Sequence, residues 1–101
     1  MLEIEKEERS GTIRLRLRGV LNSNTVSKLN DAVDKLSDVG DGIEIDCTEL
    51  TNISGAGFEV LLRLTKMVRA FGKDCRIINI SDSAYELFAA TGLAEILTIE
   101  R

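Results

Sequence analysis

The chain contains no histidine, tryptophan or proline, and its aromatic complement is three phenylalanines and one tyrosine in 101 residues. Without histidine it lacks the usual general base at neutral pH and the commonest neutral metal ligand, which argues against hydrolase and zinc chemistry; no cofactor and no metal are expected. So few aromatics provide no stacking platform for bases. A net charge of −4 provides no attractive field for phosphates, so nucleic acid is not an expected partner. Long hydrophobic runs are missing too. Nothing approaches the roughly 20 apolar residues needed to cross a bilayer, and the acidic, alternating start Met1-Leu2-Glu3-Ile4-Glu5-Lys6-Glu7-Glu8 has no signal-peptide character. A cytoplasmic protein without direct membrane insertion is therefore expected. The two cysteines, Cys47 and Cys75, fall at opposite ends of neighbouring predicted parallel strands. That places them on the order of 13 Å apart, beyond the reach of a disulfide, so buried free thiols are expected.

What is present is a hydrophobic content of 44%, enough for one core in a chain of ordinary domain size, and a single domain over residues 1–101 is expected. A domain this short leaves little room for an enclosed active-site cleft, which favours surface recognition over catalysis.

Alternation in Leu2-Glu3-Ile4-Glu5, a turn at Ser10-Gly11 and renewed alternation from Ile13 to Arg18 predict an antiparallel hairpin. Its arginines Arg14, Arg16 and Arg18 stand opposite Glu3, Glu5 and Glu7, the pattern of cross-strand charge pairs on a solvated face rather than of an anion site. Ser23 or Asn24 can cap a first helix with apolar residues at Val26, Leu29, Val33 and Leu36, stopped by Gly40 and Gly42. A short strand from Ile43 to Cys47 follows, then a loop from Thr48 to Ile53. The next helix, Phe58 to Phe71, turns Val60, Leu61, Leu64, Met67, Val68 and Phe71 to the core and Glu59, Arg63, Lys66, Arg69 and Lys73 outward. Gly72 ends it, Cys75 to Ile80 forms a strand, Ser81-Asp82-Ser83 caps a third helix that Gly92 terminates, and Leu93 to Ile99 gives a helix-like turn and a last strand, Ile96 to Ile99. The order ββαβαβαβ implies a mixed α/β sheet with right-handed crossovers.

The chemistry concentrates in Asn52-Ile53-Ser54-Gly55-Ala56-Gly57. It lies between a strand and the longest helix, so Ser54 stands where helix amides lack intrahelical partners and the helix dipole favours negative charge. Two readings are open for Ser54: a site where phosphate is formed or held, or an ordinary N-cap followed by two flexible glycines.

Element order and residues together resemble the STAS domain, the fold of bacterial anti-sigma-factor antagonists, over nearly the whole chain. Gly19-Val20-Leu21-Asn22 is similar to the family's Gly-Glu-Leu-Asp entrance to the first helix, and Asn52-Ile53-Ser54-Gly55-Ala56-Gly57 to its Asp-Ser-Ser-Gly-Leu-Gly phosphorylation loop. Asn79-Ile80-Ser81 and Thr91-Gly92-Leu93 resemble its later strand-to-helix cap and helix terminus. The resemblance implies a STAS-type mixed β-sheet with an N-terminal antiparallel hairpin and helices packed on it, no enzymatic activity, and a phosphoacceptor at Ser54. It implies two partners: an anti-sigma factor with serine-kinase activity, which binds and then modifies the unphosphorylated protein, and a metal-dependent serine/threonine phosphatase that restores it. The implied binding surface comprises Asn22, Ser23 and Asn24, the loop Asn52, Ile53, Ser54, Gly55, Ala56 and Gly57, and Phe58 and Arg63 beyond it.

Asn22 and Asn52 stand where the family has aspartates. An amide orients a loop by hydrogen bonds but takes no proton from a serine, and its neutrality lessens repulsion of an arriving phosphate. Two other functions compete. A constitutive STAS adaptor, serving a lipid-transport ABC system or a signalling scaffold, would retain Ser54 only as a cap. A nucleotide-binding module would use Gly55-Ala56-Gly57, but the further glycine of a dinucleotide fingerprint and the Gly-Lys-Ser/Thr of a P-loop are missing.

Overall fold

The computed structural model describes residues 1–36, 40–92 and 97–100. Strand β1 (Leu2–Arg9) turns at Ser10-Gly11 into β2 (Thr12–Leu21); then come α1 (Val26–Asp34), β3 (Gly42–Ile53), α2 (Gly55–Ala70), β4 (Asp74–Ile78), α3 (Asp82–Ala90) and β5 (Thr98–Ile99). The sheet has the order β1-β2-β3-β4-β5, with β1 antiparallel to β2 and every later neighbour parallel. Each parallel strand is added on the same side of the last. Right-handed crossovers of that kind carry all three helices to one face.

That face holds the core: Leu15, Leu17, Ile45 and Ile77 from the strands, Leu29 from α1, Leu61 and Leu64 from α2 and Phe88 from α3 are buried together. The predicted alternation of the hairpin is observed, with Ile13, Leu15 and Leu17 buried and the arginines between them facing the other way. Both cysteines are free and buried. Burial, with the charge of Asp46 beside it, pushes the Cys47 thiol up to about 12, and burial raises Cys75 as well, against the opposing influence of Thr65 and Arg69.

The opposite face of the sheet is covered by charge instead of helices. The register sets Glu3 opposite Arg18, Glu5 opposite Arg16 and Glu7 opposite Arg14. Arg16 reaches Glu5 at 3.6 Å and Glu7 at 3.2 Å, and Arg18 reaches Glu3 at 3.7 Å. Arg14 instead turns to Glu44 on β3, at 3.1 Å, and Glu44 is shared with Arg76 of β4, which also meets Glu100. The lattice therefore runs across the sheet rather than staying within the hairpin.

Several element boundaries depart from the sequence reading. Residues Thr48–Ile53, expected as a loop, extend β3, and α2 begins at Gly55 rather than Phe58. The N-cap of α1 is Thr25, one residue beyond Asn24, the later of the two expected caps. Met67 and Phe71, assigned to the core stripe, are exposed: the buried stripe runs through Leu61, Leu64, Thr65 and Val68, which leaves Met67 at its flank, and Phe71 is the C-cap beyond the last helical turn. Strand β4 stops at Ile78, Asn79 taking a left-handed turn at φ 58°. The expected turn at Leu93 and the first residue of the expected last strand, Ile96, lie outside the described residues; Thr98 and Ile99 pair with Arg76 and Ile77 as a strand. Among the described residues no helix is long and apolar enough to cross a membrane, and no group of three or more acidic or cysteine side chains is placed to hold a metal ion.

Candidate functional site

Two register shifts in β3 build the site. From Arg16 to Arg18 on β2 the partner on β3 advances from Asp46 to Glu49, and from Gly19 to Val20 it advances from Leu50 to Asn52. Each shift inserts one extra residue into β3, and each reverses which side chains face the core. Before the first, Ile45 and Cys47 point inward; between the two, Glu49 faces out to bond Arg18 while Leu50 turns in; after the second, Ile53 is buried again. The first bulge is held by Asp46, whose Oδ1 accepts the Thr48 amide at 3.0 Å and hydroxyl at 2.6 Å and the Asn79 side-chain amide at 3.1 Å. Burial alone would raise the Asp46 carboxyl, but these bonds, with Arg16 at 3.5 Å, outweigh it and hold its pKa at about 2. The Thr51 hydroxyl donates to the Gly19 carbonyl at 2.9 Å, fastening the second bulge to β2.

Pairing of Leu21 with Ile53 then brings the ends of β2 and β3 side by side. The Ser54 amide donates to the Leu21 carbonyl at 2.9 Å, so Asn22 and Ser54 leave the sheet as neighbours. On the α1 side, the Asn22 Oδ1 accepts the Asn24 amide at 2.9 Å, and the Thr25 hydroxyl accepts the Asn22 amide and donates to the Val20 carbonyl, both at 2.9 Å. Thr25 thus pins this turn in place. Sequence reasoning did not find it, although a hydroxyl three residues after an asparagine that leaves a strand is the signal that would have done so.

Ser54 occupies the N-cap position of α2 with φ −102° and ψ 177°, but its side chain makes no capping bond. Its Oγ is buried without a hydrogen-bond partner, although the residue as a whole is half-buried. The first helical bond runs from the Phe58 amide to the Ser54 carbonyl at 3.0 Å, so the amides of Gly55, Ala56 and Gly57 precede the ladder. No acidic residue occupies the first turn of α2. The helix entrance is therefore positive in field and holds one inward-turned hydroxyl.

The expected surface residues divide by burial. Ser23, Asn24, Asn52, Gly55 and Arg63 are exposed, and Asn22, Ser54 and Ala56 are intermediate. Ile53, Gly57 and Phe58 are buried. Ile53 takes its place in the core, which removes the apolar surface contact that an exposed side chain there would have offered. Phe58 packs edge-on against Phe88 with ring centroids 4.4 Å apart and an interplanar angle of 79°. Gly57 is hemmed in: a Cβ there would lie 2.7 Å from both the Leu21 carbonyl oxygen and Ile53. Arg63 hydrogen-bonds Asn30 of α1, two turns along the helix from Ser54. A cavity of about 70 Å³ opens next to Asn52, lined by Leu50, Thr51, Ser81, Ser83 and Leu87 among others, and so continues the surface towards α3.

The family model of the STAS domain matches residues 3–101. An anti-sigma-B factor antagonist of Listeria monocytogenes is 28% identical over 97 residues, covering 94% of this chain and 84% of the relative. The crystal structure of an anti-sigma factor antagonist from Mycobacterium paratuberculosis superimposes with a TM-score of 0.88 at 14% identity, over 99% of this chain and 86% of that one. The phosphorylated form of the Bacillus cell fate determinant SpoIIAA gives 0.72 at 17% identity, over 98% and 90%.

Proposed function

The chain belongs to the STAS domain family, and from that premise we propose that it acts, as a single domain over residues 1–101, as an anti-sigma-factor antagonist whose docking surface is switched by phosphorylation of Ser54. The observation that carries the reading is the Ser54 hydroxyl itself. It stands at the entrance of α2, beside the amides of Gly55 and Ala56, with no hydrogen bond to lose. A phosphate there adds a charge of about −1.5 to −2 next to amides that donate to it, and repels any partner surface fitted to a neutral hydroxyl. The exposed residues around it, Ser23, Asn24, Asn52 and Gly55, form the contact surface, and buried Ile53, Gly57 and Phe58 hold its shape. The role is binding rather than catalysis. The partners that follow are an anti-sigma factor with serine-kinase activity and a metal-dependent phosphatase, all acting in the cytoplasm.

Because Oγ faces inward, transfer requires rotation about the Cα–Cβ bond to bring the hydroxyl to the surface. Asn22 and Asn52 supply no carboxylate, so the base must come from the kinase. An inward hydroxyl also suits the second reading, a constitutive adaptor that is never modified, but the capping bond for which that adaptor would retain Ser54 is not made.

Mass spectrometry of protein isolated from its native cells with phosphatases inhibited separates the two. Phosphate on Ser54, together with loss of anti-sigma-factor binding in Ser54→Glu but not in Ser54→Ala, is the expected result. An unmodified Ser54 across growth and stress conditions, with equal affinity of both variants, would leave the adaptor.

A further inference from the structure

On the helix-bearing side of the sheet, α1 does not reach far enough to cover the edge strand. Leu2 is buried beneath it, but Ile4 is only partly buried and Lys6 is exposed. The uncovered strip forms a trough of about 460 Å³, within the size range of small-ligand pockets. Its floor and apolar walls come from Ile4, Leu15, Ala32 and Leu36. Its rim comes from Lys6 on β1 and, one to two turns apart on α1, Lys28, Asp31 and Lys35. Among the described lining residues, three cations against one carboxylate is an unusual local balance in a chain of net charge −4.

The pairing of those cations differs from that on the opposite face of the sheet. Arg14, Arg16, Arg18 and Arg76, on the opposite face, are all ion-paired to carboxylates. Lys6, Lys28 and Lys35 have no ion pair among the described residues. Lysine stems lie along apolar surface while their ammonium groups extend to the edge, so the trough offers an aliphatic bed with positive ends. It has no aromatic wall on which a base could stack, which argues against a nucleotide.

We propose that this trough is a binding site for a monomeric single-chain amphiphilic anion, an acyl chain lying on Ile4, Ala32 and Leu36 with its carboxylate or phosphate held between Lys6 and the lysines Lys28 and Lys35 of α1 and its C-cap. The site lies between β1 and α1, away from the Ser54 end of α2, and does not depend on the switch.

Titration of the ¹⁵N-labelled full chain with decanoate below its micelle concentration tests the assignment, followed by amide chemical shifts. Saturable shifts centred on residues 4–6 and 28–36 are expected, with decyltrimethylammonium, the same chain bearing a cation, binding at least about tenfold more weakly. Reversing two rim charges with Lys28→Glu and Lys35→Glu lowers decanoate affinity at least about tenfold. Both lysines are exposed, and an unchanged thermal midpoint in the double variant confirms that the fold is retained. Equal affinity for the anionic and cationic chains, wild-type affinity in the double variant, or binding only to phosphatidylglycerol vesicles and not to monomeric decanoate would each overturn the proposal.

Discussion

Ser54 and Ser81 both stand at helix N-caps, and they are not equivalent. The Ser81 hydroxyl accepts the Ala84 amide at 3.2 Å, whereas the Ser54 hydroxyl is buried and bonds nothing. Ser81→Ala therefore removes a working cap, with an expected loss of about 1 kcal/mol. Ser54→Ala removes an unsatisfied buried hydroxyl and is expected to be neutral or stabilising. Urea denaturation of the two variants reads the difference, and a loss in Ser54→Ala equal to that in Ser81→Ala would show that Ser54 does cap α2. The glycines on either side of Ala56 differ in the same way. A Cβ on Gly55 meets nothing within 4 Å, whereas one on Gly57 meets a backbone carbonyl at 2.7 Å. Gly55→Ala is expected to stabilise by up to about 1 kcal/mol, and Gly57→Ala to cost about 1–3 kcal/mol by forcing α2 away from β2. At Cys47 a thiol whose pKa is about 12 stays almost wholly protonated at pH 8. It is expected to react with Ellman's reagent only after unfolding, in step with a structural probe.

Among the elements, how much could be read in advance depended on where the information lay. The β1–β2 hairpin, the stripe of α1 and that of α2 apart from Met67 and Phe71 were legible because one buried face imposes a period on local sequence. The second half of β3 was not. Thr48-Glu49-Leu50-Thr51-Asn52-Ile53 lacks a period of two because two bulges reverse its facing, and bulges are set by pairing with β2, about 30 residues away in sequence. The same distance hid the partner of Arg14. Its cross-strand neighbour Glu7 was evident from the hairpin, but Glu44 lies on a parallel strand whose register local pattern does not specify. The location of the candidate site was legible in Ser54 and its glycines, since helix entrances have a sequence signature. The inward turn of the hydroxyl was not, because a rotamer answers to packing.

For the whole molecule, acid stability should follow Asp46. This carboxylate is 3% exposed and receives bonds from β2, β3 and the turn after β4, so it ties three parts of the sheet together. Its pKa falls from 3.8 in the reference state to about 2 in the folded protein. A depressed carboxylate contributes stability that is complete above the unfolded value and disappears as pH falls through the folded one. Linkage makes the contribution about 2 kcal/mol, lost between roughly pH 4 and pH 2. Stability measured by urea titration at stepped pH should show this decline, and Asp46→Asn should flatten it while lowering stability at neutral pH.

The doubled bulge in β3 has a bearing on how the protein matures. Asn22 and Ser54 are neighbours only once β2 and β3 have paired with both extra residues in place. A chain that paired these strands with one bulge missing could close a sheet, but it would turn Leu50 or Ile53 towards water and leave the two loop segments out of step. Under the proposed function recognition and quality control would coincide: a partner reading both segments at once would reject misregistered copies without any separate test of folding.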